Sequence, residues 1–413
     1  MSSDYDIAII GAGAAGVGAA RQLAQSGLSV VLLEASGRVG GRAWTEDVAG
    51  QALDLGCGWL HSGDRNSWTR IAEAGGFAVE RSPAAWGTQY RALGFPESEQ
   101  ESARAAFAEW GMRMASTPPA SDCAADLLDP EERWNSLIRA RLGFISGAAP
   151  ERISVADYNA YDEASTGINW RVEAGYGRLV SASLPHPVDL RLSTPVEAVE
   201  LERNGVALQT PRGRIHASAA IVTVSTAILE TGSLALPQAL DPWREAASGL
   251  PLGRNEKLFF EIVDEAPFEP ETHVVGDPFS ASTAAYYIRP LGRPVIECFF
   301  GDAGAGLIAE QGTAAGFAFA LDQIAGLFGS NVRCSLKPLA ASNWTRASRI
   351  GGAYSSALPG QAGARQVLAR PFEDRLFFAG EATSGSDFST AHGAHDSGVR
   401  AAKEAVAALG GHR

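Results

Sequence analysis

The sequence has 413 residues, of which 46% are hydrophobic and 20% charged, so the chain is long enough for two domains with separate cores. Its net charge of −13 argues against a nucleic-acid partner and is compatible with a cationic substrate. The absence of an 18-residue apolar run, of a signal-peptide pattern and of clustered cysteines predicts a cytoplasmic protein with reduced thiols, without a membrane span or a metal site.

The first predicted elements form a nucleotide-binding unit. An apolar strand at 6–10 precedes the glycines of a G-x-G-x-x-G pattern, Gly11, Gly13 and Gly16. These glycines permit a tight turn, the approach of a pyrophosphate and close packing of the following helix, whose N-terminus favours phosphate. A second apolar strand at 28–33 ends at Glu34, where a carboxylate can accept hydrogen bonds from a ribose hydroxyl.

The segment after Glu34 distinguishes between two nucleotide cofactors. Arg38, Gly40, Gly41 and Arg42 form an R-x-G-G-R pattern that a nicotinamide enzyme does not require. The segment resembles one found in a large group of flavoproteins, in which it folds back over the pyrophosphate and the flavin. The pattern therefore favours FAD, and the alternative is that both arginines are solvated loop charges.

The middle of the chain alternates between helices and strands. Helices are predicted at 97–114 and at 130–145, and Asn204-Gly205 predicts a hairpin between strands 196–201 and 206–210. A further strand is expected at 219–224, while 257–263 and 294–301 have the character of strands in a separate sheet. The predicted fold class is α/β (mixed α+β), with a Rossmann-like FAD-binding domain and a second domain of mixed sheet and helices.

The C-terminal region predicts a return to the first domain. A strand at 375–379 ends at Gly380 and Glu381, a position at which ligands bind in parallel sheets. A helix at 390–409 carries Gly393, Ala394, Ser397 and Gly398 on one face, which predicts close packing against a neighbour. We therefore predict a discontinuous FAD-binding domain (1–75, 175–250 and 365–413) and a substrate-binding domain (76–174 and 251–364).

Taken together, the motifs resemble the flavin-containing amine oxidase family, which includes monoamine oxidases, polyamine oxidases and histone lysine demethylases. The first and last of five matching segments are common to many flavoproteins, whereas those around Lys257 and around Trp344 and Tyr354 are more specific. The segments are Gly11–Arg42, Asp54–His61, Arg254–Lys257, Asn343–Tyr354 and Gly380–Thr383.

The resemblance implies oxidation of an amine at the carbon next to nitrogen, which gives an imine that hydrolyses, with reduction of O₂ to H₂O₂. It implies that Lys257 reaches flavin N5 through a water, although a surface lysine is the alternative. Tyr354 would form one wall of an aromatic cage beside the flavin. His61 would lie near the flavin as in polyamine oxidases or be merely hydrogen-bonded, and Trp344 would line the site or belong to the core.

The resemblance also assigns the cofactor contacts. Glu381 would hold the ribityl or pyrophosphate region, and Val196 would contact adenine through its backbone. The cofactor-binding residues implied in this way are Gly11, Gly13, Ala15, Gly16, Glu34, Ala35, Arg38, Gly40, Gly41, Arg42, Gly58, Trp59, Val196, Trp344, Gly380, Glu381, Thr390 and Ala391.

Three departures from the family pattern affect the expected function. Thr390 stands where monoamine oxidases have a second cage aromatic, so either the cage is half-open or Phe388 or Trp170 fills that role. Ala353 replaces the cysteine that bonds to flavin in monoamine oxidases, so we expect noncovalent FAD. The chain lacks the long helical insertion of the demethylases, which argues against a histone substrate.

The resulting prediction is an FAD-dependent amine oxidase that acts on polyamines or bulky amines with O₂, as a monomer or a homodimer. One alternative on the same fold is a desaturase or an L-amino-acid oxidase. An L-amino-acid oxidase would need a pocket arginine, such as Arg171 or Arg289, to bind a carboxylate. A second alternative is a non-redox FAD-binding protein, in which substrates would not bleach the flavin.

Overall fold

A computed structural model describes residues 4–264 and 267–410. Its strands, in chain order, are β1 (Tyr5–Ile10), β2 (Val30–Leu33), β3 (Thr45–Val48), β4 (Gln51–Asp54), β5 (Leu60–His61), β6 (Val79–Glu80), β7 (Asn169–Val172), β8 (Asp189–Arg191), β9 (Ala198–Glu202), β10 (Gly205–Thr210), β11 (Gly213–Val222), β12 (Asn255–Ile262), β13 (Thr272–Val275), β14 (Ala285–Ile288), β15 (Val295–Gly301), β16 (Leu336–Ala341) and β17 (Leu376–Phe378). Its α-helices are α1 (Ala14–Leu23), α2 (Ser67–Ala74), α3 (Glu97–Ser116), α4 (Asn135–Ser146), α5 (Val155–Ala164), α6 (Tyr176–Ala182), α7 (Thr226–Glu230), α8 (Asp241–Ser248), α9 (Asp302–Gln311), α10 (Thr313–Phe328), α11 (Ala364–Leu368) and α12 (Ala391–Gly410).

The first sheet has the order β8-β2-β1-β11-β10-β9, and β17 pairs with the C-terminal part of β11. The pairs formed by β8, β2, β1, β11 and β17 are parallel, whereas β9, β10 and β11 are antiparallel neighbours. Helices α1 and α12 pack on one face of the sheet, and residues of α7, α8 and α11 belong to the apolar cluster on the other face. The parallel strands are thus covered on both faces, which explains their nearly continuous apolar sequence.

Close packing of α1 against α12 depends on the small residues predicted on α12. A β-carbon on Gly398 would lie 2.0 Å from the carbonyl oxygen of Ala15, and one on Gly18 would lie 2.5 Å from that of His395. Ser397 also donates from Oγ to the Gly380 carbonyl oxygen at 3.1 Å. The small face of α12 therefore packs against protein, as expected for tight structural packing.

The second sheet is antiparallel, with the order β13-β14-β15-β12-β16. One face packs on α9 and α10 through an apolar cluster that includes Leu258, Phe260 and Phe300. The opposite face carries Phe259, which packs with Leu53 of β4. This second face of the sheet is therefore turned toward the region that follows the nucleotide-binding segment.

Most predicted elements are confirmed, including the first strand, the Asn204-Gly205 hairpin and the two strands of a separate sheet, which are β12 and β15. The helix predicted at 130–145 was placed too early, because α4 begins at Asn135. Before it, carboxylate oxygens of Asp129 and Glu132 accept hydrogen bonds from backbone N–H groups two residues later and turn the chain. The strand predicted at 219–224 is the end of a longer strand, β11. The domain boundaries stay a prediction.

Candidate flavin and amine site

The glycine pattern forms a tight connection between β1 and α1. Gly11 has a positive φ of 103°, a conformation that other residues rarely adopt. A β-carbon on Gly16 would lie 1.9 Å from the carbonyl oxygen of Gly11, so only glycine lets the helix begin this close to the strand. The first N–H groups of α1 consequently lie at the carboxyl end of β1, where they can bind an anionic group.

The R-x-G-G-R segment lies directly against this connection. Gly40 donates its N–H to the Ala12 carbonyl oxygen at 2.8 Å, and a β-carbon on Gly41 would lie 3.1 Å from Cα of Gly13. Arg38 donates from Nη2 to the Gly41 carbonyl oxygen at 2.7 Å and stacks over the Trp44 ring at 4.5 Å. Its Nη1 is buried without a hydrogen-bond partner, and burial lowers the pKa of its guanidinium. An anionic ligand such as a phosphate would satisfy this nitrogen.

Glu34 lies at the end of β2, beside the same loop. One of its carboxylate oxygens accepts the Ala12 N–H at 2.7 Å, and the other accepts the Ser36 N–H at 2.7 Å across the intervening Ala35. Its backbone carbonyl accepts the Thr194 N–H at 2.8 Å, which brings the segment leading to Val196 to the same edge of the sheet. The predicted ribose and adenine contacts are therefore neighbours.

Arg42 joins the glycine-rich region to the C-terminal motif. From Nη1 it donates to Glu381 at 3.0 Å and to the Ala353 carbonyl oxygen at 2.6 Å. Glu381 also accepts from Oγ of Ser355 at 2.7 Å and from the Ser389 N–H at 2.9 Å. Burial alone would raise the pKa of the Glu381 carboxyl, but the guanidinium groups of Arg42 and Arg365 and these hydrogen bonds hold it below its ordinary value.

A cleft opens beside the Arg42–Glu381 pair. Its walls include Arg42, Val224, Gly380 and Glu381, and it lies at the carboxyl ends of β11 and β17. Ligands of open parallel sheets bind at this edge. The glycine loop, the buried nitrogen of Arg38 and this cleft together fit a dinucleotide such as FAD.

Lys257 lies on the face of the second sheet that is turned toward β4. Its Nζ is 2.7 Å from Oε1 of Glu297 and donates to the Asp54 carbonyl oxygen at 3.1 Å. The residue is only 7% exposed, which contradicts the surface alternative. A β-carbon on Gly58 would approach Nζ to 3.2 Å, so the predicted cofactor contact Gly58 and the predicted catalytic lysine are direct neighbours.

Trp344 holds the other side of the segment that contains Asp54 and Gly58. It donates from Nε1 to the Leu55 carbonyl oxygen at 2.8 Å and meets Trp44 edge to face at 6.1 Å. Its backbone N–H donates to Glu256 at 3.0 Å. Because the ring is 93% buried and fully engaged, its packing matches the core alternative, while its contacts still shape the site.

Tyr354 directly follows Ala353, to which Arg42 is bonded. Its hydroxyl donates to the Phe144 carbonyl oxygen at 2.5 Å, and burial raises the pKa of the phenol well above its ordinary value. The Phe144 ring lies tilted against Phe299 at 6.0 Å between centroids, and Phe299 is the β15 residue opposite Lys257. Phe144 thus links Tyr354, through its backbone carbonyl, to the neighbourhood of the lysine, through its ring.

A second aromatic group extends from Gly58 toward solvent. Trp59 contacts Trp86 at 4.4 Å and Tyr287 at 5.7 Å between ring centroids, and His61 lies 6.1 Å from Trp86. Nδ1 of His61 is 2.7 Å from Oδ1 of Asn169, and burial lowers the pKa of the imidazole. His61 is thus hydrogen-bonded, as its structural interpretation expects, and it lies next to the aromatic group, while its place near the flavin stays a prediction.

The positions considered for the second cage aromatic each make contacts of their own. Thr390 accepts the Gly393 N–H at 3.0 Å and so caps α12, and the following Ala391 accepts from Trp68 at its carbonyl oxygen. Phe388 lies under the Arg365 guanidinium at 3.5 Å and lines a second cleft. Trp170 lies on β7 opposite Leu60, and its ring packs against Gly63.

Sequence reasoning did not identify Glu297, Trp86 and Tyr287 as parts of the site. Tyr287 and Glu297 are direct partners in the β14–β15 pair, and Glu297 is also the partner of Phe259 on β12. Because directly opposed residues share a face, knowledge of this register would have placed both beside Lys257. Trp86 lies in a short 3₁₀ segment that has no periodic pattern to predict its orientation.

The residues that the structure describes contain no helix long and apolar enough to cross a membrane. Within residues 4–264 and 267–410 there is likewise no cluster of three or more His, Cys, Asp or Glu side chains able to hold a metal ion. The four cysteines are free. Burial raises the pKa of the Cys57 thiol, the one nearest Lys257 and Arg42, to about 12.

Comparison with known proteins identifies the family. Polyamine oxidase 4 of Oryza sativa subsp. japonica is 26% identical over 448 residues, which cover 98% of this chain and 89% of the relative. Pseudooxynicotine dehydrogenase of Pseudomonas sp is 28% identical over 295 residues, 63% of this chain and 59% of the relative. A solved structure of putrescine oxidase bound to putrescine shares the fold with a TM-score of 0.75 at 19% identity, over 98% of this chain and 99% of that one.

These likenesses confirm the predicted α/β class and the predicted resemblance. Residues 14–90 and 77–406 match the family described as flavin containing amine oxidoreductase, and the two segments together span most of the chain. The chain therefore belongs to the flavin containing amine oxidoreductases, enzymes that use a flavin to oxidise amines.

Proposed function

We propose that the protein is an FAD-dependent amine oxidase that converts a polyamine or a bulky amine into an imine and releases H₂O₂. The observation that carries the proposal is the position of Lys257. Its ammonium group lies beside Gly58, at the junction between the aromatic group around Trp59 and the segment held by Trp344. A buried cation whose strand partner is Phe299, and whose neighbour Gly58 precedes Trp59, suits a site where an amine loses a hydride and O₂ gains charge.

The glycine loop, Arg38, Arg42 and Glu381 would hold FAD through its phosphates and ribityl chain. FAD, when bound, supplies the acceptor for a hydride equivalent from the amine carbon and passes two electrons to O₂. Attachment would be noncovalent, because Ala353 offers no nucleophile. The neighbouring Cys57 thiol stays protonated, and it is the thiolate that reacts.

The protein's own contribution is to position the amine and to exclude water. Phe144 and Phe299 are in ring contact and Tyr354 is bonded to the Phe144 backbone, so aromatic side chains surround this region. An amine that enters such an environment would lose hydration. Desolvation disfavours the ammonium form, so it favours the neutral amine whose lone pair assists loss of hydride. Lys257 would hold a water beside the reacting atoms and provide positive charge for the reduction of O₂.

The preference for larger amines rests on the small side chain at Thr390 and on the extent of the aromatic group. Trp86 is 40% exposed and packs on Trp59, so the aromatic group reaches the molecular surface. A relative named polyamine oxidase aligns over nearly the whole chain, which supports the same substrate class. A long or bulky amine could contact both Tyr354 and this outer group.

The test is a panel of polyamines, bulky amines and benzylamine with the purified holoprotein. We expect bleaching of the flavin absorbance without oxygen and stoichiometric H₂O₂ release with oxygen. An artificial electron acceptor is assayed in parallel, because one relative is named a dehydrogenase. Acid precipitation should release all flavin into the supernatant. Bleaching without release of H₂O₂ would contradict the proposal that O₂ is the electron acceptor. Flavin left on the pellet would contradict noncovalent attachment.

Oxidation of an amino acid is a second candidate, because the structure places Arg171 close to the aromatic group. Arg171 is 93% buried between Trp59 at 4.9 Å and Tyr287 at 5.3 Å, and its Nε and Nη1 have no hydrogen-bond partner. Its Nη2 is bonded to Glu271 at 2.8 Å, which compensates its charge and favours a structural role. Amino acids in the same panel separate the two functions. Turnover of an amino acid that is lost in the Arg171→Leu variant would identify the protein as an amino-acid oxidase.

A further inference from the structure

We infer that Glu297 is a positioning residue that fixes the Lys257 ammonium group in its charged form beside the flavin. The inference rests on the proposed role of Lys257 and adds a residue that no family motif of this chain contains. Glu297 lies on β15, and Lys257 lies on β12. Their side chains share one face of the sheet, because Glu297 opposes Phe259, two residues along the strand from Lys257.

The lysine is fixed at both ends. Its backbone N–H donates to Oγ of Ser342 at 2.8 Å, and its carbonyl oxygen accepts the Ser342 N–H at 2.8 Å. At the other end Nζ is held between Oε1 of Glu297 at 2.7 Å and the carbonyl oxygen of Asp54 at 3.1 Å. A side chain with four rotatable bonds is thus limited to one arrangement, which is what a positioned catalytic group requires.

The balance of charge around Nζ depends on Glu297. The Asp54 carboxylate interacts electrostatically with Lys257 but is not in contact with Nζ. Its oxygens are occupied by the Tyr176 and Gly177 N–H groups and by the Thr45 hydroxyl, and burial raises its pKa. The other groups whose charge acts on this cluster are Cys57, whose buried thiol is neutral, His61, whose pKa burial lowers, and Arg293, which faces Asp54 and Glu297. Glu297 is therefore the carboxylate that directly neutralises the buried ammonium.

Loss of one member of a buried ion pair leaves the other charge without compensation, and a buried lysine then releases its proton more easily. An uncharged Lys257 could not provide positive charge for the reduction of O₂. The inference therefore predicts that Glu297 acts on the oxidative half-reaction through Lys257. Binding of the amine should depend on it little.

The sequence allows a direct measurement, because it contains three lysines, of which Lys337 and Lys403 are exposed. Holoprotein labelled with [ε-¹³C]lysine should give three signals, and the two exposed lysines serve as internal references. In Glu297→Gln, we expect the Lys257 signal to titrate at least about one pH unit lower than in the wild type. Glu297→Asp should retain most of the wild-type behaviour, and Glu271→Gln, which removes a carboxylate paired with Arg171, should leave the Lys257 signal unchanged.

The kinetic test uses flavin that is reduced chemically and then mixed with oxygen, so it needs no amine substrate. We expect Glu297→Gln to slow reoxidation about tenfold. Because both residues act as a unit, the Lys257→Met/Glu297→Gln double variant should be no slower than Lys257→Met alone. An unchanged Lys257 titration, or additive effects in the double variant, would overturn the inference.

A substrate-anchoring role for Glu297 gives a different result. In that case Glu297→Gln would raise KM for diamines but not for monoamines, with normal reoxidation, and the inference would be wrong. Failure of the proposed function itself would appear elsewhere, as a lack of bleaching by every amine in the wild-type protein. The NMR titration and the chemical reoxidation remain informative in that event, so the two failures can be told apart.

Discussion

The two sides of the site are built in different ways. On the side proposed to bind FAD, called the FAD side below, a few consecutive segments are packed through their backbones, and glycines are required because a β-carbon would strike the main chain. On the lysine side, single side chains such as Tyr287, Glu297 and Tyr354 come from separate strands and loops. The difference implies that substitutions on the FAD side disrupt folding and cofactor binding. Substitutions on the lysine side should instead change rates and specificity.

The strongest test of this comparison is Gly16→Ala. The new β-carbon would lie 1.9 Å from the Gly11 carbonyl oxygen, so the strand and helix must separate. We expect a loss of about 3 kcal/mol in the free energy of unfolding and flavin-depleted protein. Gly111→Ala is the matched control, because Gly111 is also helical but has open space around it. Gly111→Ala should raise the free energy of unfolding of the protein by about 0.5–1 kcal/mol. Equal urea midpoints for the two variants would contradict the comparison.

A second test concerns the Arg42–Glu381 pair, which links the two sides. Glu381→Gln should lower the free energy of unfolding by about 2 kcal/mol at pH 7. This loss is smaller than that expected from breaking a fully buried pair, because the Arg42 side chain is 27% exposed. The folded-state pKa of Glu381 is below its ordinary value of 4.5, so its stabilising effect is complete above that value and is lost as the pH falls through the folded pKa. The difference in unfolding free energy between wild type and variant should therefore shrink below about pH 4.5.

Urea denaturation of the holoproteins at pH 7 and at lower pH measures this difference. Glu269→Gln is the control, because it removes a carboxylate from an exposed pair with Arg91. Exposed pairs contribute about 0–1 kcal/mol, so this variant should remain close to the wild type at both pH values. A Glu381→Gln deficit that stays constant with pH would show that the carboxylate charge is not its cause.

The FAD side was largely predictable from sequence, for a physical reason. Its requirements are local, since a glycine at each close approach and an acid at the end of β2 occur within one short segment. Gly11, Gly16 and Glu34 can therefore be identified from the sequence without knowledge of the fold. The start of α4 was missed because the side chains of Asp129 and Glu132 compete for backbone N–H groups, which helical composition does not reveal.

The lysine side was only partly predictable. Lys257 was found through a family motif, but its partner Glu297 depends on the register between β12 and β15, and nothing local specifies that register. Trp344 was found as a motif residue, yet its indole hydrogen bond to Leu55 reaches across the chain to a distant loop. Long-range pairings of this kind follow from tertiary packing, which short sequence patterns do not encode.

A smaller effect is expected from Tyr354, whose ring and hydroxyl have separable roles. Tyr354→Ala should lower kcat/KM about five- to thirtyfold, because it removes an aromatic contact worth about 1–2 kcal/mol to the amine. Tyr354→Phe keeps the ring and loses only the hydrogen bond to the Phe144 carbonyl oxygen. It should stay within about threefold of wild-type kcat/KM while losing about 1 kcal/mol of stability. Equal losses in both variants would assign the effect to the hydroxyl and not to the ring.

The smallest expected effect concerns Thr390, which connects the two sides because it both caps α12 and stands at the predicted cage position. Thr390→Ala removes the acceptor of the Gly393 N–H and should cost about 1 kcal/mol of stability, whereas Thr390→Ser should not. Neither change should alter substrate preference, because neither adds volume. Thr390→Tyr loses the same cap but adds a ring, which should shift the ratio of kcat/KM for a bulky amine to that for benzylamine toward benzylamine. If Thr390→Tyr changes stability as Thr390→Ala does and leaves that ratio untouched, Thr390 serves only the helix, and the residue that limits substrate size must be sought around Trp59.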